Sequence, residues 1–162
     1  MRPLSYYNRL LGKDRFDELK PEQQPFARGE DNGLSLLDVI KTYKPTILLG
    51  VTAVGGLFTS DIIKEMANQV EKPIIFPLSN PTSKAECTAA QAYEWTNGNL
   101  VFASGSPFDP VKLGGKTYSI SQCNNMYIFP GLGLGASLAG ATKITDRMLY
   151  IAAKGETNIF QK

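Results

Sequence analysis

Asn80 is the side chain in this sequence best placed to meet a small ligand, because it sits in a Ser-Asn-Pro turn directly after an apolar run. An amide side chain donates to a carboxylate or carbonyl and accepts from a hydroxyl or carboxamide. Three segments share this setting: Gly50-Val51-Thr52-Ala53-Val54-Gly55-Gly56, Ser79-Asn80-Pro81-Thr82 and Ser104-Gly105-Ser106-Pro107. Each is rich in glycine or small polar residues, which let a ligand approach the backbone closely. Asn124-Asn125, ahead of Met126-Tyr127-Ile128-Phe129, is a further candidate. A structural reading stands beside each: turn glycines at Gly55-Gly56, turns at Asn80-Pro81 and Ser106-Pro107, and a helix cap at Asn124-Asn125.

What is missing narrows the chemistry. The chain has no histidine, which removes a Ser-His-Asp triad, a Cys-His dyad, an imidazole zinc site and a histidine base. Lys64, Lys72, Lys112 and Tyr127 are acid-base candidates by type, but each is more economically a solvated or packing residue. No catalytic residue is therefore assigned. Aspartates and glutamates are scattered, so no metal site is assigned either. Cys87 and Cys123 have neither CxxC nor metal-ligand spacing and read as small buried thiols. No GxGxxG follows a strand and opens a helix; Gly131-Leu132-Gly133-Leu134-Gly135 has the wrong spacing and follows Pro130.

The candidate segments must be held by regular elements, and the pattern supplies them. Ser35 is expected to cap a helix with Asp38 at its third position, and Lys44-Pro45 to stop it. Three apolar runs follow, Thr46–Val51, Pro73–Leu78 and Asn99–Ser104. Helices are expected between them, from Ser60 to Val70 and from a Ser83–Glu86 capping box to about Trp95, with Asn97-Gly98 turning the chain. Unalternating runs suit strands buried on both faces of a parallel sheet. The fold class is thus α/β, a partial Rossmann-type parallel sheet of β-α-β-α-β order with right-handed crossovers, followed by C-terminal helices. Pro107–Gly115 reads as a loop, Lys116–Ser119 as a short edge strand and Gln122 as a helix entry. Helices are expected over Gly131–Ala141 and Thr145–Ala153. The glycines of the first lower its propensity unless they permit close packing. Ligands of such sheets bind beyond the carboxyl ends of the strands, where the candidate segments fall.

The 162 residues suffice for one domain with a real core. Residues 1–33 read as a polar, loosely ordered N-terminal segment with a short helix around Asp14–Leu19, and 34–162 as the domain. With 43% hydrophobic and 20% charged residues, the composition is that of an ordinary soluble protein. A net charge of +2 with scattered basic residues gives no nucleic-acid footprint. No apolar stretch approaches the roughly 20 residues that span a bilayer. Met1–Leu11 does not read as a signal peptide, so a cytoplasmic location is the expectation.

Four stretches, in one order and spacing, resemble malic enzymes (malate dehydrogenase, decarboxylating). They are KPTILLGVTAVGGLFTSDIIKEMA at 44–67, KPIIFPLSNPTSKAECTAAQAYEWTNG at 72–98, FASGSPFDPV at 102–111 and CNNMYIFPGLGLG at 123–135. The resemblance covers 34 to about 153 well and 11–33 more loosely. It implies the C-terminal part of an NAD(P)-binding domain, with NAD or NADP as cofactor. In the intact enzyme, it implies oxidation and decarboxylation of L-malate to pyruvate and CO2 with Mg or Mn, and a homo-oligomer. Carried over by motif, Asn80 lies between malate and nicotinamide, Asn124 and Asn125 face the substrate, and Val51, Thr52 and Ala53 pass along the dinucleotide. Leu34 stands where NADP-dependent members have a Lys near a helix start.

The resemblance also has gaps. The family's catalytic Tyr and Lys, metal carboxylates and dinucleotide glycine fingerprint lie upstream of these stretches. Met1–Leu10 and Gly155–Lys162 do not follow its pattern. The chain is therefore expected to be a fragment, inactive alone. The alternative is an inactive truncated dinucleotide-binding or regulatory association module, because loss of the first βαβ unit would leave a sheet edge and an apolar face open.

Overall fold

The computed structural model describes residues 13–21, 23–27, 29 and 33–160. Much of the N-terminal polar segment lies outside them. Its described part forms two 3-10 segments, Lys13–Glu18 and Gln24–Phe26, with Leu19 and Ala27 buried together. The chain then divides into two compact units between Cys123 and Asn124.

The first unit is an α/β sheet structure. Helix α1 (Leu36–Tyr43) begins as its sequence requires, with the Ser35 side chain accepting from the Asp38 amide. It stops at Lys44, which takes a left-handed conformation (φ 46°) instead of the extended one usual before proline. Strand β1 (Ile47–Gly50), helix α2 (Ser60–Gln69), strand β2 (Ile74–Pro77), helix α3 (Ala89–Trp95) and strand β3 (Val101–Ser104) follow in the expected order. The three strands pair in parallel as β1-β2-β3, with Leu48 opposite Ile75 and Ile75 opposite Phe102.

Two expectations need correction here. The strands are not buried on both faces, because exposure alternates along β1. Leu48, Ile75 and Phe102 join the buried residues of all three helices in one core, whereas Ile47, Leu49 and Val101 on the other face are 39–50% exposed. Both connecting helices pack on the same face, as two crossovers of one hand running in one direction require. Second, α3 does not start at Ser83. Residues Thr82–Lys84 make a 3-10 turn, and the capping box forms at Thr88, reciprocated by Gln91. Asn97 and Gly98, both at positive φ, turn the chain after it.

Beyond β3 the expected loop and edge strand form a hairpin, β4 (Val111–Leu113) with β5 (Lys116–Tyr118). Its two-residue turn, Gly114-Gly115, has positive φ at both positions, the condition for a tight hairpin turn. Tyr118 carries the hairpin onto α3, its ring centroid 4.7 Å from that of Tyr93. The expected helix entry at Gln122 is instead a fourth parallel strand, β6 (Ser121–Gln122), added beside β3.

The second unit holds a 3-10 turn (Asn125–Tyr127), helix α4 (Phe129–Leu138) and helix α5 (Asp146–Phe160). Among the described residues no helix is long and apolar enough to cross a membrane.

Candidate functional site

The carboxyl ends of β1, β2 and β3 are fixed by close backbone contacts. A Cβ on Gly105 would stand 2.0 Å from the Leu78 carbonyl oxygen, and one on Gly55 2.6 Å from that of Ser83. A Cβ on Gly50 would meet the Glu86 carboxyl carbon at 2.4 Å. These glycines are therefore dictated by the chain's own packing, whatever ligand lies nearby. Ladder bonds also run past the strand ends, from the Leu78 amide to Gly50 O (2.8 Å) and from the Gly105 amide to Pro77 O (3.1 Å).

Glu86 is the group that organises the end of β1, and it is not among the residues that the sequence pattern singles out. It is fully buried. Its Oε1 accepts from the Thr52 amide at 2.8 Å, from the Thr52 hydroxyl at 2.7 Å and from the Ser79 hydroxyl at 2.6 Å. Ser79 Oγ in turn accepts from the Ala53 amide at 2.8 Å, and Thr52 Oγ1 from the Val54 amide at 3.2 Å. The backbone of the Glu86 segment completes the tie: Ala85 O receives the Gly56 amide and Glu86 O the Phe58 amide. The available signal was an acid set among Ala85, Cys87 and Ala89, small residues that suit a buried segment. Cys87, buried beside it, has its thiol pushed up to about 12 by burial and then by the Glu86 charge. Cys123 is exposed, against the expectation of a buried thiol.

Asn80 stands exposed at the end of β2. The Ser106 hydroxyl donates to its Oδ1 at 2.5 Å, and Ser104 Oγ holds the Ser106 carbonyl at 2.8 Å. With its oxygen engaged, Asn80 has the Nδ2 amino group to offer a ligand. Such a group donates to a carboxylate or a carbonyl oxygen.

The structure thus brings together four of the six expected site residues. Val51 (77% exposed), Thr52 and Ala53 sit at the end of β1 and Asn80 at the end of the adjoining β2, linked through Ala53 and Ser79. Ala53 takes a positive φ of 57°. The Thr52 side chain is turned inward to Glu86. Asn124 and Asn125 belong to the second unit, where Asn124 Oδ1 accepts from the Met126 amide at 3.0 Å, as a cap does, and Asn125 is exposed. That unit also has a concavity of about 580 Å³ lined by Tyr127, Leu132, Met148, Ile151 and Glu156, which includes none of the expected site residues. Among the described residues, no three His, Cys, Asp or Glu side chains lie close enough together to hold a metal. These residues alone do not fit a divalent metal.

Parallel strands with open, backbone-rich carboxyl ends define an α/β domain of the Rossmann type. The family described as "Malic enzyme, NAD binding domain" matches residues 7–162, and this chain belongs to it. It is 53% identical over 148 residues to an NADP-dependent malic enzyme of Dictyostelium discoideum, covering 90% of this chain and 27% of that protein. It is 57% identical over 125 residues to NAD-dependent malic enzyme 1 of Vibrio vulnificus, covering 77% and 22%. With an NADP-dependent malic enzyme of Vitis vinifera the identity is 49% over 145 residues, covering 90% and 24%. The chain spans about a quarter of the length of these curated relatives.

Proposed function

We propose that this chain forms one wall of a malic enzyme's dinucleotide cleft, the intact enzyme converting L-malate to pyruvate and CO2 by metal-dependent oxidative decarboxylation. The observation that carries this reading is the fixed amide of Asn80 at the open end of β2, beside the Val51–Ala53 turn. Val51, Thr52 and Ala53 line the path of NAD or NADP. Asn80 sits between dinucleotide and malate, its amino group donating to an oxygen of either. When bound, the oxidised dinucleotide supplies the hydride acceptor. The Mg or Mn ligands and the acid-base pair come from outside this chain, so the chain alone binds without turning over.

Titration with NADH, followed by its fluorescence, tests the binding. Saturable binding that weakens about tenfold in Asn80→Ala, roughly one lost hydrogen bond to a ligand, is the expected result. Absence of binding would overturn the reading. Robust malate-dependent NADH or NADPH production with Mg or Mn by the chain alone would overturn its inactivity.

A second reading, association with full-length homologous subunits, is favoured by the exposed Ile47, Leu49 and Val101 and by the edge position of β1. Co-purification with a full-length malic enzyme supports it, and a monomer by light scattering contradicts it.

A further inference from the structure

We propose that Glu86 is a positioning residue that turns the end of β1 into a hydrogen-bond-accepting surface, suited to the hydroxyl-bearing riboside part of a dinucleotide and closed to its pyrophosphate; this rests on the dinucleotide reading above. Three consecutive backbone amides at a strand end are the usual material of an anion-binding nest. Here all three are taken. The Thr52 amide goes directly to Glu86, the Ala53 amide through Ser79, and the Val54 amide through the Thr52 hydroxyl.

The consequence follows from the planar trans peptide, in which the carbonyl points opposite to the amide of the same unit. With the amides of Thr52, Ala53 and Val54 drawn toward Glu86, the carbonyls of Val51, Thr52 and Ala53 point away from it. Val51 and Ala53 are exposed, so the turn meets a ligand with acceptors. Acceptors repel phosphate oxygens and receive sugar hydroxyls.

A buried carboxylate suits this task better than a neutral group. Its one oxygen Oε1 gathers three donors, while Oε2 has no hydrogen-bond partner among the described residues. Hydrogen bonds to an ionised acceptor are the stronger kind. Gly50 leaves room for the group, since any Cβ there would collide with it.

Amide-resolved NMR on the isotope-labelled 162-residue chain tests the proposal, with nicotinamide riboside and inorganic pyrophosphate as separate probes. In the natural chain the riboside shifts the Thr52–Val54 signals and pyrophosphate leaves them still. In Glu86→Gln those amides exchange with solvent about tenfold faster or more, as loss of a charged acceptor demands. The riboside response then shrinks and a pyrophosphate response emerges. That exchange of preference is not what a general loss of stability produces. Ser79→Ala frees the Ala53 amide alone and gives the same reversal there, which decides the matter if Glu86→Gln does not fold. Unchanged amide exchange in both variants, or pyrophosphate shifting the natural turn, overturns the proposal. If the riboside leaves Thr52–Val54 unmoved while NADH still binds, the proposal falls and the dinucleotide reading stands; if NADH does not bind either, both fall.

Discussion

The strand-end region around Glu86 and the helical unit after Cys123 use glycine in opposite ways. At the strand ends Gly50, Gly55 and Gly105 each sit where a Cβ would strike the chain within 2.6 Å. In α4 a Cβ on Gly131, Gly133 or Gly135 would meet nothing within 4 Å. The expectation that these helical glycines serve close packing therefore has no support among the described residues. Hydrophobic exposure follows the same division. The core of the first unit buries Ile40, Ile63, Met66 and Ile75 completely, while Phe129, Leu134, Leu138 and Tyr150 in the second unit are 62–81% exposed. At the strand ends a neighbour forbids anything larger than glycine, whereas on α4 none does.

Substitutions break or sharpen this contrast in order of expected size. Gly105→Ala drives a methyl into a backbone carbonyl that has no rotamer with which to yield. A loss of about 3 kcal/mol or more, the upper end of overpacking costs, is expected in urea unfolding. A value near zero would show that the β2–β3 ends are looser than described.

Raising the pH acts next, through Cys87. Burial, and then the Glu86 charge, push its thiol from the ordinary value of 9.0 up to about 12 in the folded chain. The contribution of the neutral buried thiol is therefore fully present below pH 9 and is lost as the pH rises toward 12, by roughly 1.4 kcal/mol per pH unit. Cys87→Ala removes that part of the alkaline slope, which unfolding at pH 8 and 10 detects. Thiol reagents at neutral pH label the exposed Cys123 and spare Cys87.

Gly50→Ala presses on the Glu86 side chain, which can give way where a backbone cannot, so about 1–2 kcal/mol is expected. The Thr52–Val54 amides should lose protection with it. Gly133→Ala, in open space on α4, has the other sign: a gain of about 0.5–1 kcal/mol in helix stability, measured by thermal unfolding. A loss there would reveal a contact made by this helix in solution.

Legibility in the sequence divides along similar lines. The Ser35 cap, the three apolar strands and α2 were readable because each depends on neighbours a few residues away. Strand β6 was not, since Ser121-Gln122 carries no strand signal and owes its conformation to pairing with Ala103 and Ser104. The α3 cap lies at Thr88, five residues beyond the expected Ser83, because Glu86 matches a local capping rule without serving it. Its actual partner, Thr52, lies 34 positions back. At the candidate site, the placement of Val51, Thr52, Ala53 and Asn80 at adjoining strand ends followed from the β-α-β pattern. The Ser106 contact that orients Asn80 is also long-range, and nothing in the local pattern announces it.

The central claim is that the ends of β1 and β2 act together as the dinucleotide wall, and an NADH titration of the isotope-labelled chain tests it most directly. The Asn80 side-chain amide and the Thr52–Val54 backbone amides are expected to shift together, along one saturation curve. Saturable NADH binding that leaves both sets of signals unmoved would contradict it.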